Sequence, residues 1–111
     1  MPHQAGSPAI AKAEFFRTLG HPARVRILQL LRTGERSVGA LQAELGLDSG
    51  GTSQQLAALR RIGLVEGRRE GTSVYYRVTD DEVFVLLDLA RGIIGRVLEG
   101  RQSLLGELAA E

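Results

Sequence analysis

The chain has 111 residues, 43% of them hydrophobic, and no cysteine, so it can bury one compact core but cannot form disulfides or thiolate metal sites. Its net charge of +1 hides a polarity: residues 1–79 carry 11 Lys and Arg against 6 acids (+5), and residues 80–111 carry 3 against 7 (−4). The apolar runs are too short to cross a bilayer, and residues 1–7 lack the basic and apolar regions of a signal peptide, so a soluble cytoplasmic chain with no membrane partner is expected. Thirteen of the fourteen basic residues are Arg, which suits forked phosphate recognition but follows equally from a GC-rich coding sequence.

Residues 1–7 read as a disordered arm carrying His3. Ser7 and Pro8 then supply an N-cap and a first-turn proline, and Ile10, Ala13, Phe16 and Leu19 recur at helical spacing up to Gly20. His21 and Pro22 start a second helix, with Val25, Ile27, Leu28, Leu30 and Leu31 buried and Gly34 as the stop. Ser37 precedes a short helix over 38–45 that ends at Gly46. Asp48 and Ser49 cap a further helix in which Thr52, Leu56, Leu59 and Ile62 share one face, while Ser53, Gln54, Arg60 and Arg61 lie off it.

After Gly63 the period changes. Residues 65–69, a turn at Glu70 and Gly71, and residues 72–78 predict a hairpin with Val74, Tyr76 and Val78 packed and Tyr75 and Arg77 wet. Thr79 and Glu82 have capping-box spacing, with Asp80 and Asp81 favouring a helix N-terminus. A long helix over 80–110 carries Val83, Leu86, Leu87, Ala90, Ile93, Ile94, Val97, Leu98, Leu104, Leu105 and Leu108 as a stripe. Gly92, Gly95 and Gly100 weaken it by roughly 1 kcal/mol each, calling for close packing of another helix or a break near Gly100. The fold class is thus mainly α with a small β-hairpin (α+β), in a single domain: a helix-turn-helix over 37–62, a wing over 64–78, and a last helix.

The runs FFRTLGHPARVRILQLL, SVGALQAELGL and TSQQLAALRRIGLVEGRREGTSVYYRV resemble the ArsR/SmtB family of bacterial winged helix-turn-helix regulators over about 60 positions from Phe16 to Val78. The resemblance implies a repressor that binds a palindromic operator in double-stranded DNA as a homodimer through its first and last helices. A helix enters the major groove when one face is anchored and its first turns project polar groups. Thr52, Leu56 and Leu59 are the anchors, and Ser49, Gly50, Ser53, Gln54 and Gln55 face the groove. Gly50 and Gly51 depart from the family's more polar turn, shifting discrimination toward Ser53, Gln54, backbone amides and DNA shape. Arg68 and Arg69 lie where the family wing meets backbone or minor groove, while Arg60, Arg61 and Arg77 fit either a DNA contact or a solvated surface.

The expected dimer interface comprises Phe15, Val83, Leu87, Ala90, Ile94 and Val97, a stripe too apolar for a small monomer to leave wet. No metal site and no cofactor are expected. Two histidines are too few for the family's usual ligand pairs, and His21 fits a helix cap. No phosphate loop or nucleophile set points to an enzyme. Any signal would enter through a small organic ligand or a sensor partner protein, or the chain would bind DNA constitutively. The competing function is a winged-helix module for protein–protein interaction.

Overall fold

The computed structural model describes residues 7–110; His3 and the rest of the expected arm up to residue 6 lie outside the described residues. The elements run α1 (Pro8–Leu19), α2 (Pro22–Leu30) with a 3-10 turn (Leu31–Thr33), β1 (Arg36–Ser37), α3 (Val38–Leu45), α4 (Ser49–Arg61), β2 (Val65–Glu70), β3 (Ser73–Val78) and α5 (Glu82–Ala110). They fall into two compact units divided between Asp80 and Asp81.

In the first unit α2, α3 and α4 pack on one another, α4 meets β2, and α3 meets β3. Ile27, Leu28, Leu41, Leu56 and Leu59 fill the centre, and Val65, Tyr76 and Val78 close it from the sheet. Each such aliphatic side chain contributes about 1.5–3 kcal/mol by leaving water. The helix starts are fixed by side chains that accept otherwise orphaned amides: His21 Nδ1 from Ala23 (3.1 Å), Ser37 Oγ from Ala40 (3.1 Å) and Asp48 Oδ1 from Gly51 (2.6 Å). His21 is thus the helix cap that its position before Pro22 implied. At Ser7 the cap is made by the backbone alone, its carbonyl accepting from Ala11.

The sheet is antiparallel, in the order β1-β3-β2. The hairpin expected from sequence is present, with its turn one residue later, at Gly71 and Thr72, because Glu70 pairs with Ser73 and Gly71 takes the left-handed φ of 64°. Tyr76 is buried and Tyr75 half-buried, as period 2 required. The third strand has no counterpart in the sequence reading: two residues, Arg36 and Ser37, pair with Tyr76 and Tyr75. Gly67 is required by a close approach, since a Cβ there would stand 3.0 Å from the Tyr76 ring.

The Thr79 hydroxyl donates to the Gly63 carbonyl (2.6 Å) and its amide to Leu64, which ties the strand end back to the α4–β2 turn, and the helix begins three residues later at Glu82. The second unit is α5. It runs 29 residues without a break through Gly92, Gly95, Gly100 and Gly106, so of the two remedies considered for its glycines the break near Gly100 is not taken. Val83 and Phe84 are buried, and Ile93, Ile94, Val97, Leu98, Leu104, Leu105 and Leu108 are exposed.

Candidate nucleic-acid interface

The loop between α3 and α4 is three residues long. Gly46 ends α3 in the left-handed conformation at φ 67°, and Asp48 opens α4. The Asp48 carbonyl accepts both the amide (3.0 Å) and the hydroxyl (2.9 Å) of Thr52, whose side chain is fully buried. Thr52, Leu56, Ala58 and Leu59 therefore pin α4 along one side. Ser49, Gly50, Ser53 and Gln54 are exposed, and neither Ser53 nor Gln54 has a side-chain partner among the described residues. A Cβ at residue 51 would fall 2.9 Å from Asp48 Oδ1, whereas one at residue 50 would be 3.9 Å away. Gly51 thus keeps the cap closed.

Gln55 differs from its neighbours. It is half-buried, and its Oε1 accepts from Arg24 Nε at 2.8 Å, while Arg24 Nη1 donates to the Thr18 carbonyl at 3.2 Å. Arg24 fixes the Gln55 amide with its oxygen inward, leaving only N–H donors to offer outward. Arg60, in the last turn of α4, donates to the Tyr76 hydroxyl at 2.9 Å. Arg24 and the Arg60–Tyr76 bond escaped the sequence reading because the partners lie 31 and 16 residues apart in the chain.

The register splits the wing arginines between faces. Val65, Gly67 and Arg69 oppose Val78, Tyr76 and Val74, the face that meets α4; Glu66, Arg68 and Glu70 oppose Arg77, Tyr75 and Ser73 on the outward face. Arg69 is exposed and makes no ion pair among the described residues. Arg68 is engaged: its Nε donates to both Glu35 oxygens (3.0 Å each), Nη2 to Glu35 Oε1 (2.5 Å) and Nη1 to Glu70 (3.1 Å). These bonds hold the Glu35 carboxyl below its ordinary range and raise the Arg68 guanidinium. Arg77 pairs with Glu66 across the same face. Among the described residues no group of three His, Cys, Asp or Glu is placed to hold a metal ion, and no helix is long and apolar enough to cross a membrane.

A tight two-helix turn, a second helix anchored on one side and polar on the other, and a hairpin beside it define a winged helix-turn-helix. Residues 19–68 match the family described as "Helix-turn-helix domain". The chain is 48% identical over 100 residues to the HTH-type transcriptional regulator Rv0081 of Mycobacterium tuberculosis, covering 89% of this chain and 88% of the relative. The crystal structure of that protein superposes with a TM-score of 0.78 over 86% of this chain and 98% of its own. The biofilm growth-associated repressor of Agrobacterium fabrum is 41% identical over 68% of this chain and 65% of its own length. The solution structure of the homodimeric winged helix-turn-helix DNA-binding domain of Mb0332 from Mycobacterium bovis, described as a possible ArsR-family transcriptional regulator, is 34% identical, with a TM-score of 0.75 over 90% of this chain and 93% of its own. The chain belongs to the ArsR/SmtB family of winged helix-turn-helix transcription regulators.

Proposed function

We propose that this chain is a homodimeric repressor that binds a two-fold symmetric operator in double-stranded DNA, with α4 in the major groove and the β2–β3 wing on the backbone or minor groove. The observation that carries this reading is the first two turns of α4, where Ser49, Gly50, Ser53 and Gln54 are exposed on a helix locked from behind by Thr52, Leu56 and Leu59. Gln54 can meet adenine through two bonds, Ser49 and Ser53 reach phosphate or base edges, and Gln55 offers its amide N–H to an acceptor. Arg69 meets the backbone from the wing, and Arg60 lies at the far end of α4. The homodimer named for Mb0332 and the repressor named in Agrobacterium fabrum support the assembly and the sign of control.

The faces offered for self-association are α1 around Phe15 and, separately, α5 through Leu87, Ala90, Ile94 and Val97; Val83, at the start of the same α5 stripe, is buried within the protomer. The protein would act in the cytoplasm, with control entering through a sensor protein or a small organic ligand. Genomic fragments captured by the purified protein, retitrated by fluorescence anisotropy across a salt series, test the reading. A steep linear fall of log K with log salt is expected, with a slope of about −0.9 per phosphate neutralised. Binding without that slope, or no duplex binding at all, would return the fold to a protein-docking role.

A further inference from the structure

The Arg68 side chain crosses the outward face of the sheet. It starts on β2, passes over the ring of Tyr75 on the middle strand with the guanidinium carbon 4.9 Å from the ring centroid, and ends on Glu35, the residue before β1. Two residues beyond Glu35, Ser37 caps α3, the first helix of the helix-turn-helix. The bond pattern therefore joins the wing strand farthest from β1 to the start of the DNA-binding helices, 33 residues back along the chain. Arg68 spends all three of its nitrogens on Glu35 and Glu70. Arg69, one residue on, points to the face of the wing that meets α4 and has its guanidinium available.

We propose that Arg68 is a wing-positioning residue, strapped to Glu35 across Tyr75, and that Arg69 alone of the pair meets DNA. The inference rests on the DNA-binding reading for its functional consequence and on the strap geometry for its mechanical one. A planar guanidinium can chelate a carboxylate and stack on an aromatic ring at once, whereas an ammonium cannot do both. A phosphate contact, by contrast, tolerates lysine as a point charge.

The test compares Glu35→Gln, Arg68→Lys and the double variant in the full-length chain. DNA binding is measured on a captured operator duplex over a salt series, and wing opening by hydrogen exchange of the β2 and β3 amides without DNA. A strap predicts that each single variant weakens operator binding by about threefold or more, that the double variant is no worse than either, and that the salt slope stays unchanged. It also predicts faster exchange of the wing amides in all three. Tighter binding by Glu35→Gln with near-normal binding by Arg68→Lys would overturn the proposal, because it would mean that Glu35 merely competes with phosphate for Arg68. Wing exchange at the wild-type rate would overturn it too. If the wild type fails to bind duplex DNA, the operator reading falls, and the exchange data still decide whether the strap holds the wing.

Discussion

At the scale of single residues, the two glycines that open α4 separate by what a methyl group would meet. A Cβ at residue 50 lies 3.9 Å from Asp48 Oδ1, an ordinary contact, so Gly50→Ala gains helix propensity without cost and should raise stability by up to about 1 kcal/mol. The same methyl at residue 51 would stand 2.9 Å from that oxygen and push the carboxylate off the Gly51 amide. Losing the cap costs about 1 kcal/mol and cancels the gain, so Gly51→Ala should leave the melting temperature unchanged or lower it. Thermal melts of the two variants side by side check this; equal stabilisation would show that the Asp48 cap contributes nothing. On the proposed DNA-binding reading, Gln54 and Arg69 divide the contacts in a similar way. Gln54→Ala should narrow the gap between operator and random duplex by about 1–3 kcal/mol, and Arg69→Ala should weaken both equally while flattening the salt slope. Equal, sequence-independent losses in both variants would mean that α4 does not read bases.

At the scale of elements, what could be read from the sequence was whatever depends on neighbours in the chain. The short helix over 38–45, the caps at His21 and Asp48, and the buried–wet alternation of Tyr76 and Tyr75 all rest on contacts within a few residues or on a sustained period. β1 is too short for any period, and the Thr79 hydroxyl was claimed by a carbonyl 16 residues away, which no local spacing reveals. The candidate DNA surface divides along the same line: Ser53 and Gln54 were found from helix phase, but the engagement of Gln55 by Arg24 and of Arg68 by Glu35 is tertiary. The Glu35–Arg68 contact should also give the sheet a dependence on acid pH. The Glu35 carboxyl sits below its ordinary value of 4.5 in the folded chain, chiefly through its hydrogen bonds with Arg68. Its stabilisation is therefore present above that value and is lost as pH falls through the lower, folded one. The stability difference between wild type and Glu35→Gln should be largest above pH 4.5 and shrink progressively as the pH is lowered below it, as read from melts at each pH. A constant difference across that range would show that Glu35 stabilises through shape and not through its charge.

At the scale of the whole molecule, α5 poses a problem that the protomer leaves unsolved. A 29-residue helix is about 43 Å long, and its apolar side stays wet from Ile93 onward, with Ile94 57% and Val97 51% exposed. Water tolerates scattered apolar residues, but a contiguous stripe on this scale favours association. A second copy offers an identical stripe, and a two-fold pairing closes the assembly without leaving a further surface to propagate. The same symmetry gives the operator its expected form, since two α4 helices related by a two-fold axis reach successive major grooves roughly 34 Å apart. Ile94→Glu puts a charge in the middle of that stripe, at a position exposed in the protomer, so the single chain should fold unchanged while the dimer dissociates. The expected outcome is a wild type that sediments as a dimer at micromolar concentration, and a variant that sediments as a monomer with native circular dichroism. Operator affinity of the variant should collapse toward that for random duplex, because each half-site is then bound without the tether that makes the second contact intramolecular. A wild type that is monomeric at these concentrations, or a monomeric variant that holds the operator as tightly as before, would remove the two-fold operator from the account while leaving the contacts of α4 to be tested on a single half-site.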